Sequence, residues 1–119
     1  MLLRASGEQE NIQYDLRSVT SNEIASGVEN EAHLRALTEA AITGDWLGLA
    51  ALRKKTDQAI GLQQTVDTLV VASAFNGITR VADATGIPLD ENTADITEQL
   101  REETGIQRYE YSEKSDRYG

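Results

Sequence analysis

The sequence predicts an all-α domain. Three observations carry that prediction. Apolar residues recur at helical spacing in successive segments. Glycines and capping residues stand between those segments. One long stretch carries no charge and no proline. Only one proline and nine glycines occur in 119 residues, so long helices are allowed. About five helices are expected, gathered around one central apolar helix.

The first helix is expected over residues 9–26. Ile12, Leu16, Val19 and Glu23 or Ile24 follow its i, i+4, i+7 ladder, and Ser26-Gly27 ends it. Asn30 offers an N-cap for a second helix over 31–43, with Leu34, Leu37, Ala41 and Ile42 facing inward. Thr43-Gly44-Asp45 breaks that helix, and Asp45 can cap a third over 46–59. There Leu49, Leu52 and Ala59 face the core, and Arg53-Lys54-Lys55 stay in water. Trp46, just after the cap, is expected to pack as a lid on the core.

The fourth helix, Gln64 to Gly86, has no charge between Asp67 and Arg80. A helix apolar on nearly every side is buried centrally or sandwiched between subunits. The piece TLVVASAF suits a buried strand by local propensity. Its length and the pattern continuing through Val81 and Ala82 favour helix. Gly86 and Pro88 end it. A last helix, about 93–104, starts at Asn92 or Thr93 and stops at Gly105. Residues 1–105 form the helical domain. Residues 106–119 form a polar tail, with Tyr109, Tyr111 and Tyr118 as possible anchors for a neighbouring subunit or partner.

The length suits one domain with one core. Aromatic residues are only 5%, so Leu, Ile, Val and Ala must build that core. The helix from Thr65 to Ala84 has more apolar surface than four short helices easily cover, so a homo-oligomer is expected. The net charge of −9 opposes binding to nucleic acid or to an anionic membrane. Arg53-Lys54-Lys55 reads as a solvated helix face. The absence of cysteine removes any disulfide, thiolate nucleophile or thiolate metal site. The apolar stretch of MLLRASGEQE is too short for a signal peptide, and no run approaches the roughly 20 apolar residues of a membrane span. A cytoplasmic protein is expected.

Phe75-Asn76, then Arg80-Val81-Ala82-Asp83-Ala84, then Gly86-Ile87-Pro88 resemble the closing segment of the carboxymuconolactone decarboxylase and alkyl hydroperoxidase D (AhpD-like) superfamily. AITGDW, Ala41 to Trp46, resembles the linker after the second helix in peroxidase-related members. LRAS, Leu3 to Ser6, resembles the lead-in to the active-site helix. The resemblance spans about residues 3–91 and implies an AhpD-like helical domain.

In the hydroperoxidase branch of that superfamily the active-site helix carries Cys-x-Tyr-Cys, then His, then Gly. On that frame the tyrosine is Tyr14 and the glycine Gly27. Ile12 and Asp15 hold the cysteine positions and Val19 holds the histidine position. The glutamate of the proton relay falls before Met1. In the decarboxylase branch the helix carries Leu-Arg-x-His, and Leu16-Arg17-Ser18 fits until Val19. A thiol pair attacks and resolves a peroxide as a disulfide, and isoleucine and aspartate cannot. Valine supplies no acid–base group. Ile12 and Val19 are thus vestigial positions. The resemblance implies a degenerate member without thiol peroxidase activity, an oligomeric binding or structural protein for a small apolar or acidic ligand.

Two alternatives remain. Tyr14, Asp15 and Glu10 can form a rebuilt acidic site of a lactone or acid decarboxylase type, because a carboxylate pair can do acid–base work. The chain can also serve as a helical adaptor for protein partners. No cofactor is expected. His33 is the sole histidine, too few for a zinc or iron site with scattered carboxylates. Arg80 and Asp83, three apart, can pair on one helix face. Asn76 needs a partner for its amide. Gly44, Gly48 and Gly61 form no phosphate loop, since no strand precedes them and no Gly-Lys-Ser/Thr follows.

Overall fold

The computed structural model describes residues 2–87 and 89–108. Pro88 and the tail tyrosines 109, 111 and 118 lie outside the described residues. Within these bounds the chain is all-α. Its helices are α1 (Leu2–Glu10), α2 (Glu31–Thr43), α3 (Trp46–Ile60), α4 (Leu62–Thr85) and α5 (Glu91–Thr104). Short 3-10 turns cover Leu16–Val19 and Ile106–Arg108. None of these helices is long and apolar enough to cross a membrane. The chain divides into two compact units. Residues 30–84 form one, and the segments on either side of them form the other.

In the unit of residues 30–84, α2 packs on α3. The backbone carbonyl of Asn30 accepts hydrogen bonds from His33 (2.9 Å) and Leu34 (3.2 Å). Asn30 therefore starts α2 through its backbone in the left-handed region, φ 58°, and not through its side chain. At the next junction Gly44 takes φ 75°, and Asp45 accepts from the backbone N–H of Gly48 at 2.9 Å. That is the expected break and the expected cap. Gly61, φ 88°, turns α3 into α4. Its carbonyl accepts both the N–H (3.1 Å) and the hydroxyl (2.9 Å) of Thr65.

The core of this unit is thin. Leu37 and Ala40 are the buried apolar residues among those described, and Thr56 and Thr65 are buried as well. Ile42 and Ala59, expected inside, are exposed, and the inward place on α3 belongs to Thr56. Trp46 is 70% exposed and is no lid; its ring leans on Gly44 instead.

The central helix is turned unexpectedly. Thr65 is buried, and Thr68, Leu69, Ala72 and Asn76 are half-buried. Val66, Val70, Val71, Phe75, Ile78 and Val81 are exposed. At about 100° per residue these six cover roughly half the circumference. The small and polar side of α4 faces the unit, and its branched and aromatic side faces outward. A helix apolar all round carries no stripe to fix its rotation, so burial in the middle of a single chain was the wrong half of the expectation for these six residues.

The other unit replaces the expected helix over 9–26. α1 stops at Glu10. Asn11 takes φ 55°, its N–H reaches the Glu8 carbonyl at 3.4 Å, and the N–H of Ile12 reaches the Gly7 carbonyl at 2.7 Å. This is a Schellman ending with asparagine in the glycine position. The chain then turns at Asp15 into the 3-10 segment, which packs on α5. The Asp15 N–H donates to the Ser26 carbonyl at 2.8 Å. At the start of α5 the cap is Asp90, earlier in the chain than the expected Asn92 or Thr93. Its carboxylate accepts from the Thr93 N–H (2.9 Å) and hydroxyl (2.7 Å). Gly105, φ 64°, ends α5 as predicted.

Candidate functional site

Asp15 begins the 3-10 turn in extended conformation and accepts the N–H of Arg17 at 3.0 Å. The Arg17 guanidinium then folds back on the same carboxylate. Nε lies 2.9 Å from Oδ1 and 3.2 Å from Oδ2, and Nη2 lies 2.6 Å from Oδ2. Both carboxylate oxygens are occupied by one fork. These hydrogen bonds hold the Asp15 carboxyl below its ordinary range, the side-chain bond from Arg17 contributing most. They also raise Arg17, with Glu103 adding to the effect through its charge.

Tyr14 is half-buried, its ring against the bare Cα of Gly7. Gln13, Tyr14, Asp15, Arg17 and Glu103 line an open polar cleft of about 490 Å³. Of the three residues proposed for a rebuilt acidic site, the structure brings Tyr14 and Asp15 together. Glu10 is exposed at the end of α1 and does not line the cleft. Glu103, from the last turn of α5, takes its place. No local pattern announces Glu103; it arrives because α5 packs on the 3-10 turn.

The positions aligned with the catalytic frame do not share a helix face. Ile12 lies beyond the end of α1 and Val19 at the end of the 3-10 turn, both exposed. The helix spacing on which the frame depends is absent between them. A carboxylate held ionised, with both oxygens engaged, is a poor general acid or base near neutrality. Among the described residues no three His, Cys, Asp or Glu side chains gather as metal ligands. His33 is half-buried on α2.

A second concavity lies in the unit of residues 30–84. Leu34 and Thr38 of α2 and, among others, Asp67, Thr68, Val71 and Phe75 of α4 line an open groove of about 510 Å³. Its walls are mostly apolar. Its sequence signal is the uncharged run of α4, but a run apolar on nearly every side does not say which face opens to solvent.

No family model, curated protein or solved structure matches this chain. The motifs around Phe75–Pro88 and the geometry above are therefore the grounds for a functional reading.

Proposed function

We propose that the protein is a degenerate relative of the carboxymuconolactone decarboxylase and AhpD-like proteins, without thiol peroxidase activity, and that it works as an oligomeric binding or structural protein. The kinship rests on the residues of Phe75–Pro88. The loss of peroxidase chemistry rests on the absence of cysteine. The observation that carries the non-catalytic reading is the Asp15–Arg17 fork, which engages both oxygens of the Asp15 carboxylate. The exposed apolar side of α4 supports the oligomer, and the groove beside it suits a small apolar ligand.

A second reading, a lactone or acid decarboxylase with a rebuilt acidic site, draws on the cleft that joins Tyr14, Asp15 and Glu103. It requires a substrate that takes Arg17 away from Asp15. A thermal-shift screen against small lactones, aromatic acids and divalent metals separates the two, because any specific binder of the folded state raises the midpoint. The binding reading expects a shift with apolar compounds that survives in Asp15→Ala, with no turnover. A shift with an acid or lactone that disappears in Asp15→Ala, accompanied by product, establishes the enzyme instead.

A further inference from the structure

We infer that the unit flanking residues 30–84 is an ionic-strength switch: α5 closes on the 3-10 turn only when salt screens its carboxylates, and the cleft around Arg17 assembles with it. The unit of residues 30–84 keeps its fold without that screening. Salt thus sets when the cleft exists, whatever the cleft binds.

The two units share the charge unequally. The flanking segments hold 14 acidic and six basic residues, a net −8, against six acidic and five basic in residues 30–84, a net −1. Apolar burial is divided the other way. Leu37 and Ala40, the buried apolar residues among those described, both belong to residues 30–84. In the flanking unit the buried residues among those described are Gly7, Ser18, Ser26 and Thr104. A unit that repels itself and buries so little apolar surface leans on hydrogen bonds, such as that from the Asp15 N–H to the Ser26 carbonyl.

The repulsion is concentrated on α5. Glu91, Asp95, Glu98 and Glu102 follow one another at spacings of four, three and four residues. At about 100° per residue they fall within roughly 60° of one another, in one row. All four are exposed, and none lines the cleft. Like charges at these spacings repel across every turn. Glu102 and Glu103 also stand at the C-terminal end of the helix, where its dipole disfavours anions. Arg101, the sole basic residue of α5, does not relieve the row: its Nη2 donates to the Ala94 carbonyl at 2.8 Å. Among the described residues none of the four is ion-paired. Neighbours in the row are about 6 Å apart at Cβ, and the row is about 16 Å long. The screening length falls from about 30 Å at 0.01 M salt to about 3 Å at 1 M. It passes from longer than the whole row to shorter than one gap.

Amide hydrogen exchange of the full chain, read by mass spectrometry from about 0.01 M to about 1 M potassium chloride at one pH, tests the switch. Protection in α5 and in Leu16–Val19 is expected to rise at least about tenfold over that range, and protection in α2 and α3 to change less than about twofold. Magnesium chloride at equal ionic strength is expected to act alike. A variant carrying Glu91→Gln, Asp95→Asn, Glu98→Gln and Glu102→Gln is expected to keep α5 protected already at the lowest salt. Equal protection of α5 at both ends of the salt range overturns the switch. So does protection gained equally by both units, which marks a general salting effect. Saturation at micromolar magnesium marks a bound cation in place of screening and overturns it too. A neutralised variant as salt-sensitive as the parent overturns the part given to the α5 row, and the inference with it.

Discussion

The hydroxyl of Thr20 donates to the backbone carbonyl of Thr104 at 2.5 Å, joining the end of the 3-10 turn to the last residue of α5 across 84 positions of sequence. Thr104 itself is buried, and its own hydroxyl bonds back to the Leu100 carbonyl at 2.8 Å. A carbonyl in the last turn of a helix has no intrahelical partner. Thr20 supplies one from another element and so fixes the cleft that holds Glu103 beside Arg17.

Removing that donor is expected to loosen the unit. Thr20→Val keeps the shape and loses the bond, with an expected cost of about 1–2 kcal/mol, while Thr20→Ser retains most of the stability. Urea denaturation of the two variants measures both values.

The Asp15–Arg17 fork gives a pH dependence with a definite sign. The Asp15 carboxyl is depressed in the folded state, so its contribution is present above its unfolded value, about 3.9, and fades as pH falls through the lower folded value. Arg17→Met is expected to raise the Asp15 titration toward the ordinary carboxylate range, the backbone N–H of residue 17 keeping part of the depression. Carbon-detected NMR titration of the carboxyl between pH 2 and about 6 reads the midpoint directly.

Thr56 is buried on α3 with a hydroxyl that has no hydrogen-bond partner among the described residues. Thr56→Val swaps that hydroxyl for a methyl of similar size. It is expected to be neutral or to stabilise by about 1 kcal/mol. Leu37→Ala, at the one large apolar side chain that is fully buried among the described residues, is expected to cost about 2–5 kcal/mol. Thermal and chemical denaturation give opposite signs for the pair.

Gly7 has no room for a side chain. A Cβ there meets the Ile12 carbonyl and comes within 2.8 Å of the Tyr14 ring. Gly7→Ala, usually favourable inside a helix, is expected here to destabilise by about 1–3 kcal/mol and to displace Tyr14. A drop in melting temperature with a changed tyrosine environment in near-ultraviolet circular dichroism is the signature.

The helices from residue 31 onward were legible because their punctuation is local. Gly44, Asp45 and Gly105 each act within a turn of where they stand. The stretch 11–28 misleads because Ile12, Leu16 and Val19 keep helical spacing while the residues between them bond to their own backbone. Asp15 capturing the Arg17 N–H is one such competitor, and Asn11 in the left-handed region is the other. Periodicity counts the apolar residues and does not see these bonds. The cleft was half legible, Tyr14 and Asp15 being neighbours, whereas Glu103 depends on a contact between distant segments. For α4 the uncharged run announced an apolar helix, but a helix apolar on nearly every side carries no stripe that tells which face turns inward.

The bond from Thr20 to Thr104 also orders events during synthesis. Residues 30–84 form their unit from neighbouring segments of chain, so its partners emerge from the ribosome together. Thr20 must wait for a carbonyl made 84 residues later. At about 5–20 residues per second that interval is roughly 4–17 s. The early segment thus spends seconds without α5, while residues 30–84 already have their own partners.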